Sequence, residues 1–339
     1  MFRTASLALA VFLLPWMLTA LPAQANDSSG FQGTSGIALS QNSDVRMVSE
    51  DLYISPGEIR VEYVFRNITD HPVETLVAFP LPDLDLSAGI SAPNWIFPAQ
   101  GPNFLDFKLW VDGRPVAPAL ERRAIFHGKD VTEILARAGA LDLAPWLPGA
   151  YEKQTKAMPR QVLDRLHREG LLAEDEDPDM PQWILRAKYF WTQQFPAGAD
   201  VRIRHTYKPF AGHALVENAD GIDGRKTVGR LLGDRPADDD RYCLDTGTRK
   251  ALKMASHGSK RLLDAVEIEY ILTTARNWLG PIGRFHLTID KAAAGDVASL
   301  CWPGLRKTGP TTFEATSDNF TPDRDIKLLL FHVVPLENQ

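Results

Sequence analysis

Residues 58–82 read EIRVEYVFRNITDHPVETLVAFPLP, and their pattern decides the fold class. Ile59, Val61, Tyr63 and Phe65 alternate with Arg60, Glu62 and Arg66, the period-two signature of a strand with one buried face. A polar connection at 67–72 follows, then an apolar run from Leu76 to Phe79 that Pro80 stops. Both runs are rich in β-branched and aromatic residues, which pack well on a pleated surface. The stretch reads as two antiparallel strands joined by a short loop, the core hairpin of a first domain.

Working outward, the same alternation recurs. Residues 45–54 read as a strand, and Ser55-Pro56-Gly57 as the turn that feeds the hairpin. Leu105, Phe107, Leu109 and Val111 alternate with Asp106, Lys108 and Trp110, and Asp112-Gly113 signals a two-residue hairpin turn. The period then changes. Asp130 stands three residues before Glu133 as in a capping box, Val131, Ile134, Leu135 and Ala138 recur at helical spacing, and Gly139 ends the run. A second helix is expected from Pro159 through Val162, Leu163 and Leu166 to Gly170. Strand logic resumes with Leu185, Ala187, Tyr189, Trp191 and Phe195, and again with Val201, Ile203, His205 and Tyr207. The polar opening 26–36, NDSSGFQGTSG, reads as a mobile lead-in.

Residues 211–242 contain Asp220-Gly221, Asp223-Gly224 and Asp238-Asp239-Asp240 with little periodicity, and read as a linker. Beyond them a short helix at 248–256 precedes strands at 266–273, 285–290, 297–302, 312–316 and 325–334. The expectation is a mainly β protein of two antiparallel β-sandwich-like units. The first, 26–210, carries an inserted helical pair at 128–180. The second, 243–339, is β-rich with a short leading helix.

Arg3, an apolar segment from Ala5 to Leu21 and the small-x-small site Ala23-Gln24-Ala25 make residues 1–25 a signal peptide. No later stretch is apolar enough for a spanning helix, so the processed chain is expected to be periplasmic or secreted, without a membrane span. The chain has 339 residues, 44% hydrophobic and 24% charged, which fits a two-domain globular protein and excludes a disordered one. Its net charge of -6 lacks the basic footprint that nucleic acid requires. Its two cysteines, Cys243 and Cys301, form a single possible disulfide, which export favours.

Catalytic chemistry finds little support. Eight histidines occur, and none falls in H-x-x-x-H or H-E-x-x-H spacing. His205, His286 and His332 read as hydrogen-bonded core histidines, whereas His213 stands just after a strand end. No G-x-S-x-G elbow is present. Asp238-Asp239-Asp240 does not match a calcium loop, and no cofactor is implied. Trp278 and Trp302 beside turns, with Trp95 in a proline-rich segment, are candidates for a binding surface, since such rings give large contact area at low entropic cost.

The chain resembles a bacterial exported family catalogued as domain of unknown function 4424. The matching phrases are NDSSG at 26–30, SEDLYIS at 49–55, EIRVEYVFRN at 58–67, VAFPLPD at 77–83, YILTTARNWLGPIGRFHLTID at 270–290 and DNFTPDRDI at 318–326. The resemblance brings no activity or site residues. It makes the sequons at Asn67 and Asn319 accidental. The front part also resembles, more distantly, the sandwich domain of inter-alpha-trypsin inhibitor heavy chains, through Phe79-Pro80-Leu81-Pro82, Asp112-Gly113-Arg114 and the helix near Val131. That likeness bears on fold only.

Together these features favour a non-catalytic envelope protein acting by binding or assembly, with an envelope protein as partner. The alternative is an exported hydrolase with its site between the two units, using His213 and the Asp238–Asp240 acids.

Overall fold

The computed structural model of the chain describes residues 26–33, 36–87, 103–140, 155–174, 179–209, 212–216, 242–256 and 261–334. The segment expected to be a mobile lead-in is a strand inside the fold. β1 (Ser28–Gly33) pairs with β2 (Gly36–Leu39), and Asn26, Asp27, Ser28 and Ser29 are buried. Small polar residues lack a strand signature, but here several of their polar atoms find partners distant in sequence. Ser29 and Thr75 share a hydroxyl hydrogen bond of 3.0 Å, and Gly30 allows a close approach, because a Cβ there would stand 2.8 Å from the Ala38 carbonyl.

β3 (Val45–Ile54) and β4 (Ile59–Asn67) pair antiparallel, with a bulge between Met47 and Ser49. The bulge shifts the inward phase by one residue, so Val45 and Met47 point in, and after it Glu50, Leu52 and Ile54 do. β5 (Val73–Pro80) corrects the hairpin reading. It pairs with strands of another sheet, and the 68–72 loop carries the chain across the core. A five-residue polar loop serves a cross-sheet arch as well as a hairpin, and the alternation alone does not distinguish them.

The chain continues through β6 (Leu84–Asp85), β7 (Lys108–Val111), β8 (Arg114–Val116), β9 (Ala119–Phe126) and β10 (Lys129–Asp130). Asp112 and Gly113, with φ of 47° and 76°, make the two-residue turn between β7 and β8. The inserted helices are α1 (Thr132–Arg137) and α2 (Arg160–Arg168), which Gly139 and Gly170 terminate, each at φ 69°. Leu135 and Leu166 turn inward and join the main core. β11 (Ile184–Phe195), β12 (Asp200–Tyr207) and β13 (Gly212–Val216) follow.

After α3 (Thr246–Ala255), capped by Asp245, come β14 (Leu262–Tyr270), a 3-10 helix (Thr273–Asn277), β15 (Ile282–Asp290), β16 (Val297–Ser299), β17 (Arg306–Lys307), β18 (Thr312–Phe320) and β19 (Ile326–Val334). Cys243 and Cys301 are joined by a disulfide that ties the entry to α3 to the exit of β16.

Three sheets result. One runs β10-β9-β11-β5-β1-β2, with β6 also on β11. The second runs β17-β18-β15-β3-β4-β12-β7-β8, and the third β13-β14-β19-β16. The second sheet draws strands from both sides of the 211–242 segment. Its joint is β3 against β15, a parallel pair with Leu52 opposite Leu287, where antiparallel pairing was expected throughout. Gly283 makes that joint possible, since a Cβ there would lie 2.5 Å from the Val48 carbonyl at the bulge. One buried cluster spans all three sheets, including Phe65, Phe79, Trp183, Trp278, Phe285 and Leu328. Burying each such side chain contributes about 1.5–3 kcal/mol. The third sheet is covered on both faces. Ile268 and Leu330 meet the main core, whereas Leu263, Ala265 and Phe331 meet Leu252 of α3. That double cover explains the unbroken apolar run 328–331.

Candidate functional site

Two features stand out: a buried polar centre and a surface groove. The centre gathers Asn26 and Asp27 ahead of β1, Glu50 on β3, Tyr63 on β4, His205 on β12 and Tyr270 on β14, all at most 1% exposed. Each strand residue occupies an inward position of its own alternation, and the bulge in β3 brings Glu50 into phase. The Asn26 amide donates to the Glu50 carboxylate at 3.1 and 3.3 Å, and its Oδ1 accepts from the Tyr63 hydroxyl and from the Asp27 N–H. The Tyr270 hydroxyl lies 3.1 Å from that of Tyr63 and 3.3 Å from Glu50 Oε1. The 3-10 helix and the turn after it close the centre. Thr274 Oγ1 donates to the Asn26 carbonyl at 2.9 Å, the Trp278 indole N–H to the Asp27 carbonyl at 2.7 Å, and the Asn277 amide to Ser28 Oγ at 2.8 Å.

Burial pushes the Glu50 carboxyl up to about 8, against the pull of its hydrogen bonds from Asn26 and Tyr270. Burial likewise raises Asp27, with His205 opposing it. Asp27 Oδ2 and His205 Nε2 are 3.3 Å apart, within range for charge attraction. The alignment is not that of a hydrogen bond, so both Asp27 oxygens and both ring nitrogens of His205 lack one. His205 is thus buried as expected, but rings rather than polar partners surround it: Phe107, Phe79, Tyr63 and Trp191 have centroids 5.1–5.5 Å away. The centre is a set of buried charged and hydroxyl groups enclosed by the core.

The groove lies where the β7–β8 hairpin, at the edge of the second sheet, meets β9 and β11 of the first. It has a volume of about 530 Å³ and is lined by Phe107, Trp110, Pro115, Val116, Leu120 and Tyr189, with Lys108 and Asn103 as polar groups. An adjoining polar depression of about 440 Å³, on the far side of Trp110, is lined by Asp51, Glu62, Arg202 and Arg204. Tyr189 stacks on Phe107 at 4.2 Å and donates its hydroxyl to Asn103 at 2.8 Å, which fixes the groove floor. Arg204 lies over the Trp110 ring at 5.1 Å and holds its orientation. A preformed apolar cleft with a few polar groups is the usual form of a binding site.

Of the residues singled out in the sequence, Cys243 and Cys301 are brought together by the disulfide, whereas Trp278 and Trp302 do not form an open binding surface. Trp278 is 2% exposed and packs on Phe65 at 4.7 Å, so it faces the core and not a surface. Trp302 is half-buried against Phe285 and Phe320. Trp95, Asp220, Asp223 and Asp238–Asp240 lie outside the described residues, as does the His213 side chain, although its backbone pairs in β13. The Asn67 amide of the first sequon is buried and donates to the His71 and Phe195 carbonyls, so it is not open to a glycan. Among the described residues no group of His, Cys, Asp or Glu is arranged to hold a metal ion, and no helix is long and apolar enough to cross a membrane.

The model of the family described as domain of unknown function (DUF4424) matches residues 25–329. The chain belongs to this family. The match covers both the polar centre and the groove. No curated protein matches the chain. Among solved structures, the chain is similar to a "putative nutrient binding protein" from Legionella pneumophila. The identity is 16% and the TM-score 0.45, over 92% of this chain and 71% of that one.

Proposed function

We propose that this DUF4424 protein is an exported, non-catalytic envelope protein that works by binding a protein partner through the groove beside Trp110. The observation that carries the reading is the groove itself. Among the described residues it is an accessible apolar concavity, whereas the acid and base groups of the polar centre are sealed in the core. Aromatic and proline side chains on a fixed floor suit an apolar side chain of a partner, with Lys108 at the rim for its polar flank. The leader at residues 1–25 and the Cys243–Cys301 disulfide support an extracytoplasmic setting.

The test is a photo-crosslinking amino acid in place of Val116, on the groove wall, with the protein isolated from its own envelope. One defined partner crosslinked at this position and lost when Leu120→Arg fills the groove supports the reading. The same adducts with and without Leu120→Arg, or no adduct at all, overturn it.

A further inference from the structure

The polar centre has an unbalanced charge. Two carboxyls, Asp27 and Glu50, are fully enclosed, and among the described residues the basic side chain beside them is His205, with no Lys or Arg paired to either one. Bare carboxylates in such a place cost several kcal/mol each unless a cation joins them. The remaining occupant of the centre is Asn26. Its side-chain nitrogen is 3.1 Å from Glu50, and its own backbone nitrogen is four covalent bonds from that atom. The 3-10 helix and Trp278 grip the Asn26 and Asp27 carbonyls, so the backbone here is held in place. Asn26 is also the first residue after the small-x-small site Ala23-Gln24-Ala25, and the family match begins at residue 25.

We propose that leader removal between Ala25 and Asn26 creates the missing cation, and that the new α-ammonium of Asn26 is the buried counter-charge of the Glu50 and Asp27 carboxylates. Hydrolysis breaks the Ala25–Asn26 peptide bond. Water supplies the second oxygen of the Ala25 carboxylate, and Asn26 leaves with an amine that takes up a proton. Before cleavage that nitrogen is a neutral amide and offers no charge. Processing therefore completes the core, and the last step of folding belongs to the exported chain. The buried titratable groups of the centre that would surround the ammonium are Glu50 from β3, Tyr63 from β4, His205 from β12 and Tyr270 from β14, with Asp27 beside it in the chain. The inference rests on the export part of the reading above and is independent of the groove.

The experiment uses the full chain, exported from a bacterial host, against a variant with Gly-Ser inserted between Ala25 and Asn26. Leader cleavage after Ala25 then leaves the wild type starting at Asn26, and the variant with that nitrogen still in a peptide bond. Intact mass identifies each start. The wild type is expected to melt at least about 5 °C higher at pH 7, and the difference should fall by half or more when both chains also carry Glu50→Gln. A second readout is labelling of the α-amine by an amine-reactive ester, expected to be at least about tenfold slower in the native wild type than in the unfolded chain. If the inserted variant does not accumulate, labelling of the wild type decides alone. Equal melting temperatures, or free labelling of the native amine, overturn the proposal. A mass that begins elsewhere than Asn26 overturns it too, together with the assumed leader. A protected Asn26 in a protein whose groove recruits nothing would sustain it and sink the binding reading alone.

Discussion

Glu50 allows a prediction with a sign and a size. The relevant chain is the one that carries Gly-Ser before Asn26, in which no ammonium balances the carboxylate. Its native state holds the Glu50 proton up to about pH 8, whereas an exposed glutamate releases it near 4.5. The native state therefore binds more protons than the unfolded state across that window, and stability is lost as the pH rises through it. At about 1.4 kcal/mol per pH unit, the full window is worth roughly 4–5 kcal/mol. Asp27 shifts in the same direction and adds to the slope, so the difference between parent and Glu50→Gln isolates Glu50. The glutamine retains an acceptor for the Asn26 amide and carries no charge. Urea unfolding at half-unit steps from pH 5 to 8 is the assay. The two chains should be within about 1 kcal/mol of each other at pH 5, with the glutamine variant ahead by a few kcal/mol at pH 8. A parent whose stability is flat over this range, or parallel curves for the two chains, would refute the reasoning.

Other expectations follow from single contacts. Gly283→Ala places a methyl group against the Val48 carbonyl at 2.5 Å, so the usual gain from removing a strand glycine should reverse to a loss of about 2 kcal/mol or more in thermal melts. Trp278→Ala should cost about 3–5 kcal/mol, since it opens a cavity beside Phe65 and frees the Asp27 carbonyl, and calorimetry reads the change. Reducing the Cys243–Cys301 bond, with a sequence separation of 58, should lower stability by about 4 kcal/mol in the chain-entropy model, measured by urea unfolding with and without reductant.

Much of the strand content was legible, because β4, β7, β11 and β12 each alternate cleanly and Asp112-Gly113 fixes one hairpin by its backbone preference alone. The two glycines that end the helices were legible for the same reason. Pairing was harder to read. Whether β5 returns beside β4 or crosses to the facing sheet depends on what lies on the other side of the core. The β3–β15 joint links residues more than 200 positions apart with no turn to announce it. The polar centre was hidden in two ways. NDSSG has the composition of a tail, and it becomes a strand because Thr75, Thr274 and Trp278, all distant in sequence, satisfy its polar groups. Glu50 points inward because a bulge shifts the phase of β3, and nothing in VRMVSEDLYI announces that bulge. The groove was equally silent, since Trp110 sits on the polar phase of its strand and gains its neighbours from β8 and β9.

The account depends on the chain being organised around its first described residues and not merely trailing from them. Hydrogen exchange of the processed protein, resolved to the amides of residues 28–30, tests this most directly. Protection equal to that of β5, which pairs with β1, and of β11 beyond it in the same sheet is the predicted result. Exchange of those amides within seconds, with β5 and β11 still protected, would contradict it.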